Sequence, residues 1–260
     1  MTASNGSVQY ESDGTIARIV FDRPGARNAM TWDMYEQLAD ACRRVAKEPK
    51  LRLVTFRGAG GAAFIAGTDI GQFSAFRSGE EGIGYEEKVE SYVAAVEGIQ
   101  VPTLAIIEGA AVGGGMVIAA ACDLRIAATN AIFGVPIART LGNCLSIANY
   151  NRLARAFGAS RANRMLMLGE NLTASEAAAA GFLLNSVPAE ELDGEAERVC
   201  KQIVRNAPLT VKVSKIQSQR LRQTGLPDDS DLIRMCYGSR DFHEGVAAFL
   251  AKRRPEWKGE

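Results

Sequence analysis

The chain has 260 residues, of which 47% are hydrophobic and 23% are charged, so it can bury a sizeable core as one folded domain. Thirty basic and thirty acidic residues balance to a formal charge of zero, and the sequence contains no basic block. This balance excludes neither enzymes nor small-ligand binders, but it predicts no nucleic acid and no anionic membrane surface as a partner.

The five cysteines are scattered and show no paired spacing, which is typical of a reducing compartment. The first residues lack a basic start followed by an apolar stretch, and no window reaches the roughly 18 apolar residues of a membrane span. We therefore expect a cytoplasmic protein.

The first part of the chain alternates strand patterns with helix patterns. Runs of apolar and β-branched residues predict strands, and apolar residues at helical spacing behind a capping Thr31 predict a helix. The predicted strands are 15–21, 51–56, 103–107 and 124–127. The further predicted helices are 69–76, 86–99, 114–121 and 145–157. Strands that alternate with helices predict an α/β core.

Helical patterns dominate after Ser160. The predicted helices are 161–168, 173–180, 190–205, 210–224 and 231–252, with loops at 206–208 and 225–229. We expect one functional domain, with a core over residues 1–200 and a helical region over residues 201–260.

Three consecutive glycines, Gly113 to Gly115, stand between an apolar strand and an apolar helix. Glycine permits close approach of the backbone, and the unpaired N–H groups at a helix start favour negative charge. A second glycine turn, at Gly67, leads from a strand edge into another helix. Two such N–H groups side by side form an oxyanion hole.

Ordered blocks along nearly the whole chain, from about Thr15 to about Trp257, resemble the crotonase superfamily, the enoyl-CoA hydratase/isomerase enzymes. The blocks are 23–30, 64–70, 108–115, 121–127, 133–136 and 241–253. The resemblance implies the crotonase fold, a spiral of ββα turns followed by a C-terminal helical region. It also implies that this helical region builds homotrimers, often paired into hexamers, and completes the acyl pocket.

The resemblance assigns the oxyanion hole to the backbone N–H groups of Thr68 and Gly114, which would polarise an acyl-CoA thioester and stabilise its enolate. It implies further substrate contacts at Ala26, Arg27, Ala66, Asp69, Ile70, Gly113, Val117, Pro136, Ile137, Arg139 and Lys252. Arg253 is the alternative to Lys252 near the CoA phosphates. Gly71 stands where the family often has a lysine. Coenzyme A enters as part of the substrate, so we expect no separate cofactor and no metal.

The sequence lacks the two glutamates that the hydratase pattern carries. Val117 and Ile137 occupy the positions where hydratases carry glutamates, with Ala138 as the other candidate for the second position. None of these side chains can transfer a proton. The sequence therefore puts true hydratase activity in question.

Other polar residues have both a structural and a chemical interpretation. Asn143, Cys144 and Ser146 follow Gly142 and can orient water or a substrate group, but a Cys144 or Ser146 nucleophile lacks an obvious activating base. The carboxylates at 86, 87 and 90 belong to the helix that the resemblance places over the acyl group, and such a charge run is typical of a solvated face.

Four further residues have mainly structural interpretations. Asp69 is expected to cap its helix, Glu108 to fix the loop before the glycines, Asp123 to end a helix, and His243 to lie on a solvated helix. Arg139 can pair with a substrate carboxylate or with a surface partner.

Three hypotheses follow. The first is an acyl-CoA enzyme that stabilises an enolate in a backbone oxyanion hole. The second is a decarboxylase or C–C-cleaving member of the same family, in which the substrate supplies its own driving group. The third is a non-catalytic acyl-CoA-binding protein.

Overall fold

The computed structural model describes residues 5–222 and 230–258. Its first sheet has six strands in the order β1-β2-β3-β5-β7-β10, in which β1 and β2 are antiparallel and the other neighbours are parallel. These strands are β1 (Ser7–Ser12), β2 (Ile16–Asp22), β3 (Leu53–Gly58), β5 (Thr103–Ile107), β7 (Leu124–Ala128) and β10 (Asn185–Val187). Every residue of β5 is buried, as expected for an apolar strand at the centre of a parallel sheet.

The second sheet has four strands in the order β4-β6-β8-β9. They are β4 (Ala63–Ala66), β6 (Ala110–Val112), β8 (Ile132–Gly134) and β9 (Leu172–Thr173). The first three run parallel, and β9 pairs antiparallel with β8. This small sheet carries the loops of the candidate site.

Helices cover both sheets. They are α1 (Trp32–Val45), α2 (Gly79–Glu97), α3 (Gly114–Ala121), α4 (Ile137–Thr140), α5 (Ile147–Phe157), α6 (Ala159–Met167), α7 (Ala174–Ala179), α8 (Leu192–Arg205), α9 (Pro208–Arg222), α10 (Ser230–Tyr237) and α11 (Arg240–Leu250). A 3-10 helix, Ile70–Ala75, follows β4. None of the helices within the described ranges is long and apolar enough to cross a membrane.

The α/β architecture predicted from the sequence is confirmed. The main errors of the prediction lie in the bounds of the helices. The single helix predicted for 231–252 is wrong, because Gly238 and Ser239 separate α10 from α11 and Ser239 caps α11. The helix predicted from residue 86 begins at Gly79, and the predicted loop at 206–208 ends earlier, because Pro208 is the first residue of α9. The loop predicted at 225–229 lies outside the described residues.

The core has two parts. A small cluster that includes Leu53, Ile126 and Leu192 joins one face of the first sheet to α8. A larger cluster fills the space between the two sheets, α1, α2 and α3. The boundary placed after residue 200 falls within α8.

Candidate active site

Three loops meet at the carboxyl edge of the second sheet. The register pairs Ala66 with Val112, and Val112 with Gly134, so β4, β6 and β8 end side by side. Loops that follow parallel strands gather at one edge, which is where α/β proteins commonly bind ligands. The loops starting at residues 67, 113 and 135 are therefore brought together by the sheet itself.

The first two loops touch through their glycines. A Cβ added at Gly113 would lie 3.4 Å from the Cα of Gly67, and both residues have positive φ, 56° and 96° respectively. A Cβ added at Gly114 would lie 3.9 Å from the backbone nitrogen of Thr68. Glycine at these positions lets two chain turns approach within backbone contact.

The two N–H groups at this contact are available to a ligand. Among the described residues, neither the Thr68 nor the Gly114 N–H donates to another backbone carbonyl. Gly114 is the first residue of α3, where an N–H has no partner within the helix and the helix dipole favours an anion. An oxyanion hole requires two such backbone donors, and its assignment to Thr68 and Gly114 stays a prediction.

Two tyrosines fix the side chain of Thr68. The hydroxyl of Tyr35 lies 2.8 Å and that of Tyr85 3.0 Å from Thr68 Oγ1. Burial raises the pKa of Tyr35 to about 12 and that of Tyr85 well above its ordinary value. Both phenols are therefore neutral hydrogen-bonding groups beside the two N–H groups.

A buried carboxylate lies behind these tyrosines. Glu86 of α2 is 3% exposed, and its Oε2 accepts the backbone N–H of Ser146 at 3.0 Å. Its Oε1 accepts the hydroxyl of Tyr237 at 2.7 Å. The solvated face expected for this helix is wrong at this position, although Glu87 is exposed and Glu90 pairs with Arg152.

An aromatic cluster packs beside this carboxylate through Tyr237, which donates to Glu86. Its rings are Phe73, Phe76, Tyr85, Tyr237 and Phe242. The helices α10 and α11 supply two of its rings, so they cover the site of their own chain. A Cβ added at Gly82 would lie 2.1 Å from the Tyr237 ring, which shows how closely α10 packs on α2.

The sequence compares with known proteins over nearly its whole length. The family model described as enoyl-CoA hydratase/isomerase matches residues 11–260. The chain belongs to the enoyl-CoA hydratase/isomerase family. It is 31% identical over 254 residues to the short-chain-enoyl-CoA hydratase of Clostridium acetobutylicum, with 96% of this chain and 97% of the relative covered.

Solved structures agree with this assignment. An enoyl-CoA hydratase/carnithine racemase from Magnetospirillum magneticum superposes with a TM-score of 0.79 at 31% identity, covering 97% of this chain and 96% of the other. A methylmalonyl-CoA decarboxylase in complex with 2-nitronate-propionyl-CoA superposes with a TM-score of 0.87 at 25% identity, covering 97% and 98%. The chain therefore has the crotonase fold and belongs to a family of acyl-CoA enzymes.

The structure brings several of the residues expected on the CoA path together near Thr68. Arg27 accepts the N–H of Ala66 through its carbonyl oxygen at 3.0 Å, which places Ala26 and Arg27 against the end of β4. Asp69 caps the following 3-10 helix through the N–H of Gly71, as expected, and pairs with Arg23 at 2.8 Å. Ile70 opens that helix.

Apolar residues occupy the positions of the expected acids. Val117 is 1% exposed and lies in the first turn of α3, where its N–H donates to the carbonyl of Gly113. Pro136 caps α4, and Ile137 is its half-buried first residue, three positions beyond the end of β8. Ala138 is exposed. These residues can line an acyl pocket but cannot exchange protons with it.

The side chains of two expected substrate contacts, Arg139 and Lys252, have no described contact with Thr68 or Gly114, although the Arg139 N–H donates to the carbonyl of Pro136 at 3.1 Å. Arg139 is exposed and lies along Gly169, after α6. Lys252 follows α11 with φ of 54° and is exposed, while its neighbour Arg253 pairs with Glu244 at 2.8 Å. A role for Arg139 or Lys252 in binding stays a prediction.

The structural interpretations of two acids hold. Glu108 pairs with Arg57 at 3.3 Å in the loop before the glycines. Asp123, which follows α3, accepts the Thr103 N–H at 2.9 Å and pairs with the buried Lys215 at 2.7 Å. In the described part of the chain, no cluster of three or more His, Cys, Asp or Glu side chains could hold a metal ion.

Sequence reasoning missed the tyrosines of the site. Tyr35, Tyr85 and Tyr237 come from three separate helices, and only the fold places their hydroxyl groups near Thr68 or Glu86. One signal was present for the early start of α2: Ser78 and Glu81 form a capping box that marks its N-terminus.

Proposed function

We propose that this protein is an acyl-CoA thioester enzyme that stabilises an enolate oxygen with the backbone N–H groups of Thr68 and Gly114. The observation that supports the proposal is the close approach of the loop after β4 to the start of α3, where a Cβ added at Gly114 would lie 3.9 Å from the Thr68 nitrogen. An enolate oxygen gains more from such donors than the neutral thioester does, so the arrangement lowers the barrier to enolate formation.

A decarboxylating reaction is the second candidate. Hydration needs a positioned acid and base, and the two expected positions hold Val117 and Ile137. Loss of CO₂ from a carboxylated acyl group generates the enolate without a base. The superposition on methylmalonyl-CoA decarboxylase, with its TM-score of 0.87 against 0.79 for the hydratase/racemase, favours this candidate.

Turnover of two thioesters tests the proposal. Crotonyl-CoA reports hydration and methylmalonyl-CoA reports decarboxylation, each followed by mass spectrometry of the products. We expect turnover of methylmalonyl-CoA to exceed that of crotonyl-CoA. Faster hydration would favour a carboxylate outside the usual positions, and binding of both without turnover would favour the acyl-CoA-binding hypothesis.

The variant Gly114→Pro removes one N–H at a helix position that accepts proline. We expect turnover to fall about 10²- to 10³-fold, the size of effect seen when one oxyanion donor is lost. Gly114→Ala is the matched control, because it adds a Cβ near Tyr35 but keeps the N–H. Equal losses in the two variants would contradict the role of the N–H group.

We further propose that the protein assembles as a homotrimer or hexamer in the cytoplasm. The C-terminal helices expose large apolar side chains, which monomeric proteins seldom gather on one region. They are Leu209, Val213, Leu221, Met235, Phe249 and Leu250. The described cysteines are all free thiols, which fits a reducing compartment. Sedimentation equilibrium tests the assembly, and a monomer at micromolar concentration would contradict it.

A further inference from the structure

Three hydroxyl groups meet beside the N–H groups of Thr68 and Gly114, and we call them the hydroxyl cluster. They belong to Tyr35 of α1, to Thr68 after β4 and to Tyr85 of α2. Thr68 Oγ1 lies at the centre, 2.8 Å from the Tyr35 hydroxyl and 3.0 Å from the Tyr85 hydroxyl. Each hydroxyl brings one proton, and the cluster has two hydrogen bonds, so one proton is left over.

The burial of the two phenols decides which proton is left over. Tyr35 is fully buried and Tyr85 is 8% exposed, and within the described part of the chain Thr68 Oγ1 is the one hydrogen-bond partner of each phenol. A buried hydroxyl without an acceptor is unfavourable, so both phenols donate to Thr68 Oγ1, whose two lone pairs suffice. The proton left over is that of Thr68 itself, the least buried of the three residues.

Both phenols keep their protons at neutral pH. Burial raises the pKa of Tyr35 to about 12 and the pKa of Tyr85 well above its ordinary value. The two bonds into Thr68 Oγ1 therefore keep their direction over the working pH range. A hydroxyl that accepts two hydrogen bonds is polarised by them, so Thr68 is a stronger hydrogen-bond donor than an isolated threonine.

The hydroxyl cluster lies at the contact between the two glycine loops. A Cβ added at Gly114 would lie 3.2 Å from Thr68 Oγ1, 3.9 Å from the Thr68 nitrogen and 2.7 Å from the Tyr35 hydroxyl. Covalent geometry also keeps Oγ1 of a threonine within about 4 Å of its own backbone nitrogen in every staggered rotamer. An oxygen atom that accepts the Thr68 N–H can therefore accept the Thr68 hydroxyl as well.

We infer that the Thr68 hydroxyl is a third donor to the thioester oxygen, and that Tyr35 and Tyr85 are positioning residues that orient it. This inference rests on the proposed function, since it assumes that the thioester oxygen binds at the N–H groups of Thr68 and Gly114. The hydrogen bond strengthens as negative charge develops on that oxygen, and no proton is transferred. Thr68 thus acts on the substrate through its side chain as well as through its backbone.

The infrared carbonyl stretch of bound butyryl-CoA, labelled with ¹³C at the thioester carbon, tests the inference without requiring turnover. Each donor to the carbonyl oxygen lowers the frequency of this band. Thr68→Val removes the hydroxyl, keeps the N–H and preserves the shape of the side chain, so we expect the downward shift to be smaller than in the wild type. Thr68→Ser is the matched control and should keep nearly all of the shift. For a thioester that turns over, Thr68→Val should lower kcat about tenfold at nearly unchanged KM.

The same change is also made in a background without the phenols, because Thr68→Val alone leaves two buried phenol protons without an acceptor. In the double variant Tyr35→Phe, Tyr85→Phe, loss of the Thr68 hydroxyl strands no buried donor. We expect the double variant to show a smaller shift than the wild type, since the hydroxyl is no longer oriented or polarised. Adding Thr68→Val should reduce the shift further. Tyr92→Phe is the matched control and should leave the band unchanged, because the Tyr92 hydroxyl donates to Glu36 instead.

The outcomes separate the inference from the proposed function. A wild-type shift that Thr68→Val leaves unchanged in both backgrounds would overturn the inference and leave the proposed function standing. Equal losses of the shift in Thr68→Val and Thr68→Ser would also overturn it, because the effect would then not depend on the hydroxyl. Failure of the proposed function has a different signature, since the band would then be unshifted in the wild type itself.

Discussion

The two halves of the candidate site are built from different parts of the chain. The backbone half, which we propose as the oxyanion hole, consists of the N–H groups of Thr68 and Gly114. The register of β4 and β6 brings the two loops that carry them side by side. The side-chain half consists of side chains from α2, α10 and the loop 142–146, where Glu86, Tyr237 and Asn143 meet. The comparison teaches that one half is fixed by the fold, whereas the other depends on contacts that single substitutions can change.

The largest effect is expected from breaking the ion pair that supports α3, the helix of the backbone half. Lys215 is 6% exposed and pairs at 2.7 Å with Asp123, which follows the helix that starts at Gly114. Lys215→Met removes the buried cation of this carboxylate and leaves Arg222, at 3.5 Å, as its described basic partner. We expect the free energy of unfolding to fall by about 2 kcal/mol. Urea denaturation measures this change.

The control is Lys212→Met on the same helix, since Lys212 is exposed and its loss should change stability by less than about 0.5 kcal/mol. Equal stability of the two variants would mean that the pair does not anchor α3.

The next effect concerns the docking of α10, on which the side-chain half depends. Gly82→Ala puts a methyl group into the ring of Tyr237, and we expect α10 to lose about 1–3 kcal/mol of packing free energy. Hydrogen exchange of the α10 amides should accelerate accordingly. Gly84→Ala is the matched control, because a Cβ there meets nothing within 4 Å and alanine favours the helix. Unchanged exchange in Gly82→Ala would contradict the close contact of α10 with α2.

A third prediction uses the thiols of the side-chain half. A hydrogen bond from Cys144 lowers the pKa of Cys236 to about 7. Since the thiolate is the reactive form, alkylation of Cys236 by iodoacetamide should be half-maximal near pH 7, and Cys144→Ala should shift that midpoint upwards. Peptide mapping by mass spectrometry measures both midpoints.

Cys200 serves as the internal control, because burial raises its pKa and keeps it unreactive at neutral pH. A Cys236 midpoint that is the same with and without Cys144 would show that the two thiols do not interact.

The smallest effect is expected at the exposed end of the CoA path. Lys252→Gln removes one exposed charge, and we expect CoA to bind about threefold more weakly at low salt and equally at high salt. Calorimetry with CoA and dephospho-CoA locates the contact, and Lys201→Gln on α8 is the charge-matched control. A loss that persists at high salt would contradict a screened phosphate contact.

The sequence predicted well two of the elements that carry the backbone half of the site. An apolar strand, a glycine run and an apolar helix follow one another directly, so the strand 103–107 and the helix 114–121 have the predicted bounds. The short strands β4, β6 and β8 carry too few residues for a periodic pattern, and only pairing defines them.

The side-chain half was predicted less well, for a physical reason. Glu86 lies in a run of charged residues that is typical of a solvated face, and its burial depends on Tyr237, which lies 151 positions further along the chain. The error at 231–252 has a local cause, since Gly238 and Ser239 were a visible break and cap within the apolar pattern.

The carbonyl stretch of bound butyryl-CoA, labelled with ¹³C at the thioester carbon, tests the central claim most directly. Infrared difference spectra should show this band at lower frequency in the complex than in solution, because the Thr68 and Gly114 N–H groups polarise the C=O bond. The shift should be largely lost in Gly114→Pro and largely kept in Gly114→Ala at saturating ligand. An unshifted band in the saturated wild-type complex would contradict an oxyanion hole at these two residues.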